Sequence, residues 1–94
     1  MNLHLIISGR VQGVGYRQWF CERARAAGAA GWVRNRADGT VEAVLSGPTD
    51  IIEMLAVDAF EGPPGAGVED IYRSEADASL LGAPGRSFVI APSV

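Results

Sequence analysis

The residues Ile7-Ser8-Gly9-Arg10-Val11-Gln12-Gly13-Val14-Gly15-Tyr16-Arg17 carry the chain from an apolar run into a helix-forming one. Upstream, residues 3–8 are short, apolar and bounded by Gly9, which reads as a buried strand. Downstream, residues 17–27 read as a helix. Tyr16, Trp19, Phe20, Ala24 and Ala27 recur on one face, while Gln18, Glu22, Arg23 and Arg25 fall largely elsewhere. Gly28 reads as its C-terminal stop. The loop between them is punctuated by glycine and puts an arginine where the helix begins. The first turn of a helix has unpaired N–H groups and a partial positive charge, so a cation there is mildly unfavourable on its own. Glycines just before it let backbone N–H groups turn inward and converge. With the guanidinium added, the loop can receive a tetrahedral anion such as phosphate. The same residues also fit a tight turn with an exposed arginine.

Working outward, residues 30–36 alternate, with Trp32, Arg34 and Arg36 on one side and Val33 and Asn35 on the other. Asp38-Gly39 is a hairpin signal. Residues 40–46 alternate again, with Val41, Ala43 and Leu45 facing one way. Gly47-Pro48-Thr49-Asp50 opens a second helix, Asp50 with Glu53 resembles a capping box, and Ile52, Leu55, Ala56, Ala59 and Phe60 form the apolar stripe. Gly62-Pro63-Pro64-Gly65 ends that helix. Residues 68–74 predict a fourth strand with Val68, Ile71 and Tyr72 as its apolar members, although the alternation is imperfect. Residues 80–85 form a loop whose two leucines, Leu80 and Leu81, fit no pattern. Residues 87–91 predict a short last strand with Phe88 and Ile90 on one side. The order is β-α-β-β-α-β plus a short final strand, in one domain over residues 1–94. Two helices with one apolar stripe each pack most simply side by side on one face of an antiparallel sheet. The predicted fold class is therefore α+β, a ferredoxin-like sandwich.

Composition narrows the function. The 94 residues suffice for one modest core. No apolar run is long enough to span a bilayer, and Met1-Asn2-Leu3-His4 lacks the basic start and apolar block of a signal peptide. The expectation is a cytoplasmic protein with no membrane partner. Cys21 and His4, the sole cysteine and histidine, cannot make a His/Cys zinc site, and no metal or cofactor is expected. The formal net charge of −3 provides no basic footprint for nucleic acid. Any bound anion must be attracted by local charge.

Two candidate positions carry chemistry. The first is the cradle of backbone N–H groups from Val11, Gln12, Gly13, Val14, Gly15 and Tyr16, completed by Arg17. It is not a nucleotide fingerprint: a third glycine is lacking and no Gly-Lys-Ser/Thr follows. The second is Asn35, a poor strand former placed on the same side as Val33. It either begins the turn or holds a water or substrate oxygen through its amide. Elsewhere, Cys21 reads as a core or boundary residue, His4 as a strand residue, and Trp19 and Trp32 as core or packing residues. Ser8 lacks a histidine–carboxylate partner at suggestive spacing. Glu53, Glu61, Glu69, Asp70, Glu75 and Asp77 make an acidic second half in which no pair stands out as general acid and base.

These residues resemble a known family. The stretch from Ile7 to Arg17 resembles the first signature of the acylphosphatases, and Gly31-Trp32-Val33-Arg34-Asn35-Arg36-Ala37-Asp38-Gly39-Thr40-Val41, followed by Gly47, resembles their second. Gly62-Pro63-Pro64-Gly65 and the closing Phe88-x-Ile90 also look alike. One residue departs: phenylalanine is usual where this chain has Tyr16, so its hydroxyl needs a partner or solvent.

The resemblance implies hydrolysis of small acyl phosphates to a carboxylate and inorganic phosphate. It assigns phosphate binding to Arg17 and the loop, and water positioning to Asn35. Phosphate or sulfate would occupy the loop, and the expected state is a monomer. A carboxyl–phosphate anhydride has a good leaving group, so positioning and charge stabilisation can carry the reaction. No residue is an obvious base, so a phosphate oxygen of the substrate would accept the proton. Three other readings fit the same sequence. A phosphate-sensing module would need the loop and Arg17 but not Asn35. An RNA-binding domain of the same element order would stack bases on strand aromatics, which residues 3–7 and 41–45 lack. The acylphosphatase-like domain that begins larger hydrogenase-maturation proteins would continue beyond Val94, so a free-standing enzyme is the simpler expectation.

Overall fold

Strict alternation places Leu3, Leu5 and Ile7 on one face of the first strand, β1 (Asn2–Arg10), and all three are buried. The computed structural model describes residues 1–81 and 87–94. After β1 come α1 (Tyr16–Ala27), β2 (Ala30–Asn35), β3 (Val41–Ser46), α2 (Thr49–Asp58), β4 (Gly67–Glu75) and β5 (Val89–Ile90). The strands form one sheet in the order β4-β1-β3-β2-β5. Val33 from β2 and Val41, Ala43 and Leu45 from β3 share the face of Leu3, Leu5 and Ile7. Tyr16, Phe20 and Ala24 of α1 and Ile52 and Leu55 of α2 close over that face to make the core. The expected sandwich is therefore present.

The sheet is mixed rather than purely antiparallel. β1, β3, β2 and β4 pair antiparallel, but β5 joins the edge of β2 in parallel, with Trp32 opposite Val89 and Val33 opposite Ile90. A two-residue strand has no periodicity to reveal its direction.

Three further expectations are corrected. Asp50 and Glu53 form no capping box: Pro48 is the N-cap residue of α2, without a side-chain cap, and Glu53 reaches instead to Arg73 at 2.7 Å. Phe60 lies beyond the end of α2 and is exposed, so it leaves the apolar stripe. Tyr72 is exposed too, whereas Val68 and Ile71 both pack against the core. Those two are an odd number of residues apart, which plain alternation forbids. A bulge resolves this: the register between β1 and β4 shifts at Ser8/Gly9, where Asp70 and Val68 are the paired residues and Glu69 is the extra one.

The sheet face away from the helices carries a polar row across three strands. Glu42 accepts from Arg34 Nε at 2.8 Å and lies 2.7 Å from His4 Nε2, and the Arg34 guanidinium lies over the Trp32 ring. Trp32 thus packs, but outside the helix-side core. Its indole N–H donates to the Leu80 carbonyl, at the end of the 3₁₀ turn Ala78–Leu80, which gives this leucine a place. The remainder of the 80–85 loop, from residue 82, lies outside the described residues.

Candidate active site

Residues 11–15 bridge the end of β1 and the start of α1. Gly13 and Gly15 have φ of 75° and 81°, in the left-handed region that side-chain-bearing residues avoid. Gly15 is the N-cap of α1, so no side chain caps the helix, and no acidic residue occupies its first turn. The first-turn N–H groups are left to an outside acceptor, and the helix dipole favours an anion there. Among the described residues, no N–H group of residues 12–15 donates to a protein acceptor.

This loop opens on a cleft of about 230 Å³. Val11, Gly13 and Gly15 line it from the loop, and Tyr16, Arg17 and Gln18 from the first turn of α1. Asn35 enters from the end of β2 and Ile90 from β5. Arg17 and Asn35, distant in sequence, are thereby brought to one space. Among the described residues of the lining, Arg17 is the cation and none is a carboxylate, so this part of the cleft is locally positive on an acidic chain. Among the described residues, its guanidinium makes no hydrogen bond or ion pair.

Asn35 stands on the helix side of β2, as expected from its phase with Val33. Its side-chain oxygen is buried and accepts no hydrogen bond from the described residues. A buried acceptor left unpaired costs about 1–3 kcal/mol, so such atoms are rare without a functional reason. Its main chain, by contrast, is held: the Val94 N–H donates to the Asn35 carbonyl at 3.1 Å.

The other loop residues serve as supports. Gln12 turns its side chain away from the cleft and donates from Nε2 to the carbonyls of Arg36 (2.8 Å) and Thr40 (2.9 Å). It ties the loop to the hairpin immediately after Asn35. Val14 packs its side chain against the core. Tyr16 is buried, with its ring stacked on Phe20, and its hydroxyl donates to the Ala59 carbonyl at 2.7 Å. Burial pushes its pKa far above the ordinary tyrosine value, so it is a neutral donor and not a base.

Sequence reasoning missed Gln18 and Ile90 as cleft residues. Gln18 lies off the apolar stripe of α1, and its neighbour Arg17 was the available signal. Ile90 enters through the parallel pairing of β5, which carried no signal. No group of three or more His, Cys, Asp or Glu residues that could hold a metal ion occurs among the described residues. No helix among them is long and apolar enough to cross a membrane.

Comparison with known proteins supplies the family. The family model described as Acylphosphatase matches residues 3–88. An acylphosphatase of Acidiphilium cryptum is 54% identical over 74 residues, 79% of this chain and 81% of that protein. One of Rhodopseudomonas palustris is 47% identical over 92% of this chain and 89% of its own length. The crystal structure of acylphosphatase from Bacillus subtilis superposes with a TM-score of 0.86 at 34% identity, covering 96% of this chain and 97% of that one. The match runs through the loop, α1 and the strand bearing Asn35, so the chain belongs to the acylphosphatase family, hydrolases that act on acid anhydrides.

Proposed function

We propose that the cleft hydrolyses the carboxyl–phosphate bond of small acyl phosphates through the N–H groups of residues 11–16, Arg17 and Asn35. The observation that carries this reading is the buried Asn35 side-chain oxygen, in the same cleft as Arg17, with neither group paired among the described residues. The loop and Arg17 account for holding a phosphoryl group, and the product phosphate or a sulfate would occupy the same cradle. They give no reason for a buried orphan acceptor. When the Asn35 amide turns Oδ1 toward the cleft, a water donating to it removes that penalty and presents a lone pair to phosphorus.

The reaction then follows. The water oxygen forms a bond to phosphorus as the bridging P–O bond breaks, and that electron pair leaves with the carboxylate. Charge redistributes over the phosphoryl oxygens, where Arg17 and the loop N–H groups stabilise it. The described residues of the cleft lining offer no carboxylate or imidazole, and Tyr16 is held as a donor. The water proton therefore passes to a phosphoryl oxygen of the substrate.

The test is hydrolysis of benzoyl phosphate in the presence of a metal chelator, by the parent and two variants. Arg17→Ala should lower turnover by about a hundred- to a thousandfold and weaken inhibition by inorganic phosphate. Asn35→Ala should lower turnover while leaving phosphate inhibition nearly intact. Full activity in Asn35→Ala would remove it from the reaction.

A further inference from the structure

Among the described residues of the cleft wall, the proposed chemistry assigns every polar one except Gln18 and leaves one apolar residue unused. Ile90 is 40% exposed, whereas the other large apolar residues of the lining, Val11 and Tyr16, are each 1% exposed. Among the described residues lining the cleft, Ile90 is the one exposed large apolar side chain. It is not packed into the core, where the preceding Phe88 is fully buried.

Its position follows from the pairing. The Phe88 carbonyl accepts from Arg25 Nε at 2.7 Å and lies 3.7 Å from Cys21 Sγ, which fixes β5 alongside α1. Two residues along a strand advance about 6.6 Å, and four residues back along a helix about 6 Å, so Ile90 comes level with Arg17. Ile90 also pairs beside Val33, two residues before Asn35 on the neighbouring strand. Strand spacing then puts the Cα atoms of Ile90 and Asn35 roughly 8 Å apart, so the two residues border one cleft.

We infer that Ile90 is a specificity-determining residue, the wall against which an apolar acyl group packs. This rests on the phosphate cradle proposed above. In-line displacement puts the leaving carboxylate opposite the water. With the phosphoryl group at Arg17 and the water at Asn35, the acyl group faces Ile90. Hydrocarbon there shields the exposed isoleucine surface from water, whereas a methyl group is too short to cover it. The site thus selects acyl phosphates with an aromatic or extended aliphatic acyl group over acetyl phosphate.

The experiment measures kcat/KM for benzoyl phosphate and acetyl phosphate, with inorganic phosphate as inhibitor, in the parent, Ile90→Ala, Ile90→Thr and Arg17→Ala. The threonine variant keeps the β-branched shape suited to the strand while removing apolar surface. The parent should favour benzoyl phosphate. Both Ile90 variants should lose about tenfold on benzoyl phosphate, with acetyl phosphate and the phosphate inhibition constant unchanged within about twofold. Equal effects on both substrates, or no effect on either, overturn the role of Ile90; loss of phosphate inhibition in Arg17→Ala then shows that the cradle itself stands. Undiminished phosphate inhibition in Arg17→Ala removes the cradle, and the role of Ile90 falls with it.

Discussion

The hydroxyl of Tyr16 donates to the carbonyl of Ala59 at 2.7 Å, tying the first residue of α1 to the end of α2. The bond satisfies the polar group that tyrosine brings into the core. Tyr16→Phe leaves the ring stacked on Phe20 but orphans the Ala59 carbonyl. Urea unfolding should show a loss of about 1–3 kcal/mol. Turnover should fall by much less than in Arg17→Ala, because the loop N–H groups and guanidinium remain. Unchanged stability would mean that the hydroxyl bond has no net value.

Gln12 joins the two halves of the cleft. Its amide N–H groups meet two carbonyls that flank the turn after Asn35. Gln12→Ala should cost about 1–2 kcal/mol, since each carbonyl keeps one backbone donor. Gln12→Glu should be worse at neutral pH, because a carboxylate would face two acceptors with no proton to give. Its thermal midpoint should recover relative to Gln12→Ala as the pH falls and the carboxyl protonates. A glutamate variant as stable as the parent at pH 7 would contradict the tether.

The features legible in the sequence are those fixed by local periodicity. Leu3, Leu5 and Ile7 announce β1, and Tyr16, Phe20 and Ala24 announce α1. Asp38-Gly39 announces the hairpin, where Asp38 accepts from the Thr40 N–H at 3.0 Å and Gly39 has φ of 89°. Asn35 was visible as a poor strand former in phase with Val33, but not as an unpartnered acceptor, because burial depends on what the rest of the chain lays over it. Glu69 as a bulge, β5 as a parallel strand and Ile90 as a cleft residue depend on pairing between distant segments. Gln12 was legible as part of the loop, while its side-chain role waited on where the hairpin came to rest.

Glu42 makes stability depend on acid. Burial pushes its carboxyl up, but the hydrogen bonds and charges of His4 and Arg34 outweigh that and hold it below the ordinary glutamate value of 4.5. A pKa lower in the folded chain than in the unfolded one adds stability above the unfolded value, and the gain is lost as the pH falls through the folded value. Glu42→Gln should therefore be less stable than the parent at pH 7, and the gap should close as the pH drops below 4.5. Thermal melts of both proteins across that range provide the check. A gap that persists at low pH would assign the effect to packing rather than to the charge.

Gly15 tests whether backbone geometry alone makes the cradle. An added Cβ at Gly15 meets nothing within 4 Å, so Gly15→Ala introduces no clash. It does force alanine into φ of 81°, at a cost of roughly 1–2 kcal/mol. The chain can relieve that strain by rotating the peptide groups on either side of residue 15, which turns the loop N–H groups away from a common point. Arg17 would remain, so phosphate would still be attracted but less well held. The expected result is a lowered thermal midpoint, weaker phosphate inhibition and slower turnover, with the far-ultraviolet spectrum preserved. Normal phosphate inhibition with the stability loss alone would show that the N–H groups around Gly15 contribute little, and that the cradle depends on Arg17.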